Sequence, residues 1–205
     1  MVTTDAGRPS VLLRRAAALR EALATAPGLE GELTGAAREL AGRLGAGGIV
    51  YVIGNGGATA LAEHLTSELL GRLSADRERP PLAAASLCSD TAVLSAIAER
   101  SGFADCYAEQ LRSAGRPQDA LVIFTTSGRS PNLISAARVA GELGMYRLAF
   151  SGPARTQIDA CEATVHALAD DPGTVQECHL MLLHALVELV EDAMADQAAP
   201  SGEAA

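Results

Sequence analysis

Apolar positions recur at helical spacing over residues 9–27 (PSVLLRRAAALREALATAP), where Pro9 and Ser10 make a plausible start. Residues 30–45 (EGELTGAARELAGRLG) repeat that pattern and end in glycine, so two helices precede any strand. The period then changes. GIVYVIG (48–54) is a short β-branched run closed by glycine, the pattern of a strand buried on both faces. A helix over 57–71 follows, then a weaker strand at PLAAASL (81–87) and a helical stretch over 91–115 broken near Ser101 and Gly102. ALVIFTT (120–126) is the clearest strand, followed by a helix over 131–143. YRLAFSG (146–152) and ATVHALA (163–169) supply two more strands, and a helix over about 174–196 ends the pattern. Strands alternating with helices predict parallel pairing. The fold class is therefore α/β, a three-layer αβα sandwich on a five-stranded parallel sheet of flavodoxin-like type, preceded by two helices. One domain is expected over 1–197, with residues 9–46 as the leading helices and 198–205 as a disordered tail.

Composition narrows this picture. Of the 205 residues 48% are apolar, but only 3% are aromatic and Trp is absent, so the core must be built from Ala, Leu, Val and Ile. The net charge of −9 and the lack of any Lys/Arg run argue against a nucleic-acid partner. A small anion needs only a few local N–H groups and remains compatible. The four cysteines, Cys88, Cys106, Cys161 and Cys178, show no metal or disulfide spacing and read as buried apolar residues in a reducing compartment. No signal-peptide order opens the chain and no apolar run reaches the ~20 residues of a bilayer span, so a cytoplasmic protein with no membrane partner is expected.

Two loops carry candidate chemistry. GNGGA, with Asn55, Gly56 and Gly57, follows a strand and opens a helix, where backbone N–H groups and the helix dipole favour an anion. It lacks the third glycine of a dinucleotide loop, no Gly-Lys-Ser/Thr occurs in the chain, and a plain strand-to-helix turn would look the same. TTSGRSPN offers the hydroxyls of Thr125, Thr126, Ser127 and Ser130 at a second helix N-terminus. Ser130 with Pro131 reads as a helix cap, but four hydroxyls in six residues exceed what a cap requires and point to phosphate.

His64 and Glu68 lie one turn apart on one helical face. The final helix carries QECHLMLLH, in which His184 projects about 80° from Gln176 and His179 about 60° to the other side. A His and a Glu from one helix with a His from another would suit zinc. A single histidine on an apolar helix is more often a core residue bonded to a carbonyl, and spacing does not choose between His179 and His184.

Taken in order, GNGG, HLTSELLGR, CSD, TTSGRSPN and QECHLMLLH resemble the phosphoheptose isomerases of the sugar isomerase (SIS) domain superfamily, over nearly the whole chain. The resemblance implies that His64, Glu68, Gln176 and His184 bind zinc, one divalent ion per site, and it selects His184 over His179. It gives Glu68 and His184 the acid/base roles and makes Thr125, Thr126, Ser127 and Ser130 the phosphate loop. Asn55, Gly56, Gly57, Arg72, Asp90 and Gln176 would meet the sugar or a neighbouring subunit's site, in a homotetramer with sites at subunit interfaces. The implied reaction converts sedoheptulose 7-phosphate to D-glycero-D-manno-heptose 7-phosphate through an enediol.

The chain departs from that family's pattern at pocket-wall positions. Ala58 replaces a serine, Arg129 an asparagine and Gly173 an aspartate, and ERSGFAD stands where an Asn-Asp pair is usual. These changes suggest the same reaction on a somewhat different sugar, such as an octulose 8-phosphate in antibiotic sugar biosynthesis. A rival expectation is a non-catalytic SIS protein, either an adaptor for a replication initiator protein or a sugar-phosphate sensor. Retention of His64, Glu68, Gln176 and His184 together speaks against it. The terminal QECHLMLLH speaks against arabinose-phosphate isomerases and amino-sugar etherases.

Overall fold

A computed structural model describes residues 10–26, 28–74 and 78–198. Pro9, Pro27 and residues 199–205, parts of the predicted first helix and tail, lie outside the described residues. Two helices, α1 (Val11–Ala24) and α2 (Leu29–Gly45), precede β1 (Val50–Gly54) and α3 (Gly57–Leu70). Next come β2 (Ala84–Ser86), α4 (Thr91–Ser101), a 3-10 turn, α5 (Cys106–Ala114), β3 (Ala120–Phe124) and α6 (Pro131–Glu142). The chain closes with β4 (Tyr146–Ser151), a second 3-10 turn, β5 (Ala163–His166) and α7 (Pro172–Ala198).

The five strands form one parallel sheet in the order β2-β1-β3-β4-β5. Helices α2, α3 and α7 pack on one face and α4, α5 and α6 on the other, while α1 rests on α7. The predicted α/β sandwich is thus the observed one. Strands β1 and β3 are buried throughout, which is why their sequences are unbroken apolar runs. Phe124 and Phe150 stack at 4.9 Å between ring centroids at the centre. Buried alanines such as Ala36, Ala41, Ala136 and Ala140 let helices approach the sheet closely.

The differences from expectation have local causes. β2 spans three residues rather than seven, because Pro80 and Pro81 offer no N–H to a ladder and the strand lies at the sheet edge. The expected break in 91–115 is real: Gly102 takes φ +85, which only glycine adopts cheaply, and separates α4 from α5. α7 runs through Gln197 to Ala198, into the first residue of the predicted tail.

Strand β1 has β2 on one side and β3 on the other, so the chain leaves β1 and β3 in opposite senses. In open α/β sheets the crevice at such a switch point is where ligands bind. The loops that open there are GNGG after β1 and TTSGRS after β3.

Candidate active site

A cavity of about 60 Å³ lies between those loops, lined by Asn55, Ala58, Phe124, Thr125, Thr126, Ser127, Ser130, Leu133 and Gln176. The hydroxyls have different duties. Thr125 Oγ1 accepts from the Gly128 N–H at 3.0 Å and folds the loop back on itself, and Ser127 Oγ accepts from the Arg129 N–H at 3.3 Å. Ser130 occupies the N-cap of α6 with Pro131 behind it, yet its hydroxyl makes no capping bond. Ser130 thus lines the cavity at a helix N-terminus with its hydroxyl unused in capping. Gly128 takes φ +62, and a Cβ on it would stand 2.3 Å from Thr156 Oγ1, so the loop closes only with glycine.

Two side chains that sequence reasoning did not single out, Asn132 and Tyr107, hold the glycine loop in place, the first through Asn55. Asn55 donates to Asn132 Oδ1 at 2.8 Å and Asn132 donates back to Asn55 Oδ1 at 2.9 Å, a reciprocal amide pair bridging GNGG to α6. Asn132 is buried, and its Oδ1 also accepts from the Leu133 N–H. Tyr107, on α5, donates its hydroxyl to Gly54 O at 2.7 Å, and burial pushes that phenol's pKa well up, so it stays a donor. The only signal for Asn132 was its place directly after Ser-Pro, and Tyr107 carried none. At the mouth of α3, a Cβ on Gly57 would lie 2.8 Å from the carboxamide of Gln176. Gln176 thus rests against the glycine loop.

Farther along the same two helices, His64 Nε2 lies 3.0 Å from His184 Nε2 and 3.4 Å from Glu68 Oε1. The rings are tilted at 53° with centroids 5.0 Å apart. All three side chains are partly accessible. Three of the four residues expected to share a metal therefore come together within one chain. Gln176 lies eight residues, or about 12 Å of helix rise, before His184, with its carboxamide against Gly57. Two imidazoles and a carboxylate are ligand types that zinc takes. Among the described residues no group of three or more His, Cys, Asp and Glu side chains forms a finished metal cluster. The fit to zinc is one of donor chemistry, with His64 Nε2 as the common neighbour.

The remaining histidines do other work. His179 is fully buried, bonds to Ser151 O at 3.2 Å and sits against Phe124 and Phe150. Burial lowers its pKa to about 4, so it is neutral. It is the core histidine that spacing alone left as an alternative to His184. His166 is held by Gly152 O and Asp159 Oδ1, each at 2.7 Å.

Two expected substrate residues, Asp90 and Arg72, are not among those that line the cavity between the loops. Asp90 caps α4, its carboxylate accepting from the Val93 N–H at 3.0 Å. Arg72 is exposed and lines a separate cavity of about 470 Å³ with Leu70, Gly71, Arg79 and Pro81. The altered positions are also explicable in part. Ala58 lines the cavity between the loops, and Arg129 is exposed beside it. A side chain at Gly173 would meet Arg15 Nη2 at 2.6 Å; that arginine pairs with Asp171 and with Glu177, the latter at 2.8 Å.

The chain is an open parallel sheet with a hydroxyl-lined loop at its switch point and a His-Glu-His group on the neighbouring helices, and the SIS domain family model matches residues 14–152. The phosphoheptose isomerase of Bradyrhizobium sp. (strain ORS 278) is 34% identical over 199 residues, covering 97% of this chain and 96% of the relative. That of Streptomyces coelicolor is 40% identical over 156 residues, covering 76% and 67%. The solved phosphoheptose isomerase from Francisella tularensis superimposes with a TM-score of 0.79 at 29% identity, covering 88% of this chain and 94% of that one. The enzyme from Neisseria gonorrhoeae gives 0.78 at 29%, covering 88% and 95%. The chain belongs to the phosphoheptose isomerase family of SIS domain proteins. It is an isomerase, which sets aside the non-catalytic adaptor reading.

Proposed function

We propose that the chain interconverts a ketose phosphate and an aldose phosphate of long carbon chain, with sedoheptulose 7-phosphate and D-glycero-D-manno-heptose 7-phosphate as the pair. The observation that carries this is the meeting of His64, Glu68 and His184 on the two helices, α3 and α7, that also bring Ala58 and Gln176 to the hydroxyl-lined cavity at the sheet's switch point. Along α7 the two ends of the region, Gln176 and His184, are separated by about 12 Å. That separation suits an extended sugar with its phosphate at one end and its reacting carbons at the other, and it disfavours a triose.

In this reading the Thr126 and Ser130 hydroxyls and the loop N–H groups bind the phosphate, on a frame that Thr125 and Ser127 shape. Binding energy gained far from the reacting carbons fixes their orientation. Glu68 takes the proton from carbon 1 of the ketose, leaving a cis-enediol, and returns a proton to carbon 2. One carboxylate within reach of both carbons suffices for both transfers. His184 moves the protons on the two oxygens and assists ring opening. His64, Glu68 and His184 would hold zinc, which when bound polarises the carbonyl. Gln176 joins that set only by leaving Gly57, and otherwise contacts the sugar. Arg72 and Asp90 do not line the cavity, and a role for them in binding sugar is expected from a neighbouring subunit's site. Exposed Leu180 and Met181, near His184 on α7, and Val11, Leu12 and Leu13 on α1 support such an assembly, a homotetramer.

An eight-carbon substrate is the second reading, favoured by Ala58 in the cavity wall and by exposed Arg129 beside it. A setting in antibiotic sugar biosynthesis and a cytoplasmic location go with it. Among the described residues no helix is long and apolar enough to cross a membrane. The test is to follow aldose phosphate formation by NMR from sedoheptulose 7-phosphate and, in parallel, from an octulose 8-phosphate, with and without chelator. Turnover of one of them, abolished by chelator, supports the reading. Turnover of a hexose phosphate with neither longer sugar accepted contradicts it.

A further inference from the structure

The connection between α3 and β2 carries an arginine whose environment is unlike that of a surface residue. Arg79 is only 10% exposed, and its guanidinium reaches in three directions. Nε donates to Glu191 Oε1 on α7 at 2.6 Å, Nη2 to the backbone oxygen of Glu68 at 2.7 Å, and Nη1 to that of Leu69 at 2.9 Å and of Pro80 at 3.2 Å. The last carbonyls of a helix have no partner within it. In α3, Ser67 O is satisfied by the Gly71 N–H, whereas Glu68 O and Leu69 O fall to Arg79, with the Leu82 N–H also on Leu69 O. A cation at a helix C-terminus also complements the helix dipole. Glu191, 4% exposed, lies seven residues or about two turns beyond His184, on the same flank of α7.

We propose that Arg79 is a positioning residue that ties the last turn of α3 to α7 and thereby holds the carboxylate of Glu68 and the ring of His64 against His184. The inference rests on Glu68 and His184 being the reacting pair. Lysine at this position keeps the charge but loses the planar fork that serves a carboxylate and two carbonyls at once. A shift of about 1 Å in a reacting group costs up to about 100-fold in rate without altering distant binding contacts.

The experiment compares the full-length wild type with Arg79→Lys and Glu191→Gln in two measurements. One is steady-state kinetics with sedoheptulose 7-phosphate. The other is long-range 1H–15N NMR of the histidine rings, with thermal melting as the control for folding. The expected result for Arg79→Lys is a melting curve near wild type, kcat lower by about 10- to 100-fold and KM within about twofold. The His64 and His184 ring signals should move while those of His166 and His179 stay. Glu191→Gln, which keeps neutral acceptors for the same arginine, should show the same pattern more weakly, and it decides the question if the lysine variant does not fold. Unmoved His64 and His184 signals, or an unchanged kcat in a folded variant, overturn the proposal. If the wild type does not turn over the sugar, it is the reaction assignment that fails, and the ring signals still decide whether Arg79 sets the geometry.

Discussion

His179 and His184 lie five residues apart on one helix, and one is a core residue while the other faces His64. Periodicity could not separate them, because both flanks of α7 are apolar enough to be buried; the difference appears only once Phe124 and Phe150 close over one flank. The buried ring also makes a stability prediction. Its native pKa, about 4, lies below the ordinary 6.5. The unfolded chain therefore binds the proton more readily, and the contribution is whole above pH 6.5 and lost as pH falls towards 4. The loss amounts to about 3 kcal/mol, measurable as a falling denaturant midpoint. In His179→Leu that part of the acid dependence should disappear. A second residue-scale prediction concerns Gly57. The atoms nearest a Cβ there all belong to the flexible end of Gln176. Gly57→Ala should therefore change stability by less than about 1 kcal/mol, yet raise KM for the sugar phosphate by displacing the carboxamide.

Among the elements, the strands with unbroken apolar sequences were legible, and so was the break at Gly102. The loop after β3 was legible as a hydroxyl-rich segment at a helix N-terminus, whereas the use of Thr125 and Ser127 to shape the loop was not. The edge strand β2 was legible as a weaker strand over 81–87, but its length was not, since its pairing depends on where the preceding prolines let the chain rejoin the sheet. Nor were the clamps. Asn132 meets Asn55 across 77 residues and Arg79 meets Glu191 across 112, and no local pattern encodes contacts of that range. The amide pair predicts that Asn132→Ala costs about 1–3 kcal/mol, because Asn55 and the Leu133 N–H lose a buried partner. Phosphate binding, read by titration with inorganic phosphate, should weaken with it.

At the scale of the whole molecule, the order of strands and helices was readable because short unbroken apolar runs alternate with segments of about 3.6-residue period. What the molecule assembles into was not readable from periodicity. Exposed Leu180 and Met181 beside His184 fit the proposed tetramer, and light scattering should report four chains. Met181→Glu should lower that mass and turnover together. The central claim is that Glu68 carries the proton between carbons. The most direct test runs sedoheptulose 7-phosphate in D2O and reads deuterium at carbon 2 of the aldose and carbon 1 of the recovered ketose by NMR. The account predicts exchange and turnover by the wild type and neither by Glu68→Gln. A Glu68→Gln protein that exchanges and turns over at the wild-type rate would contradict it.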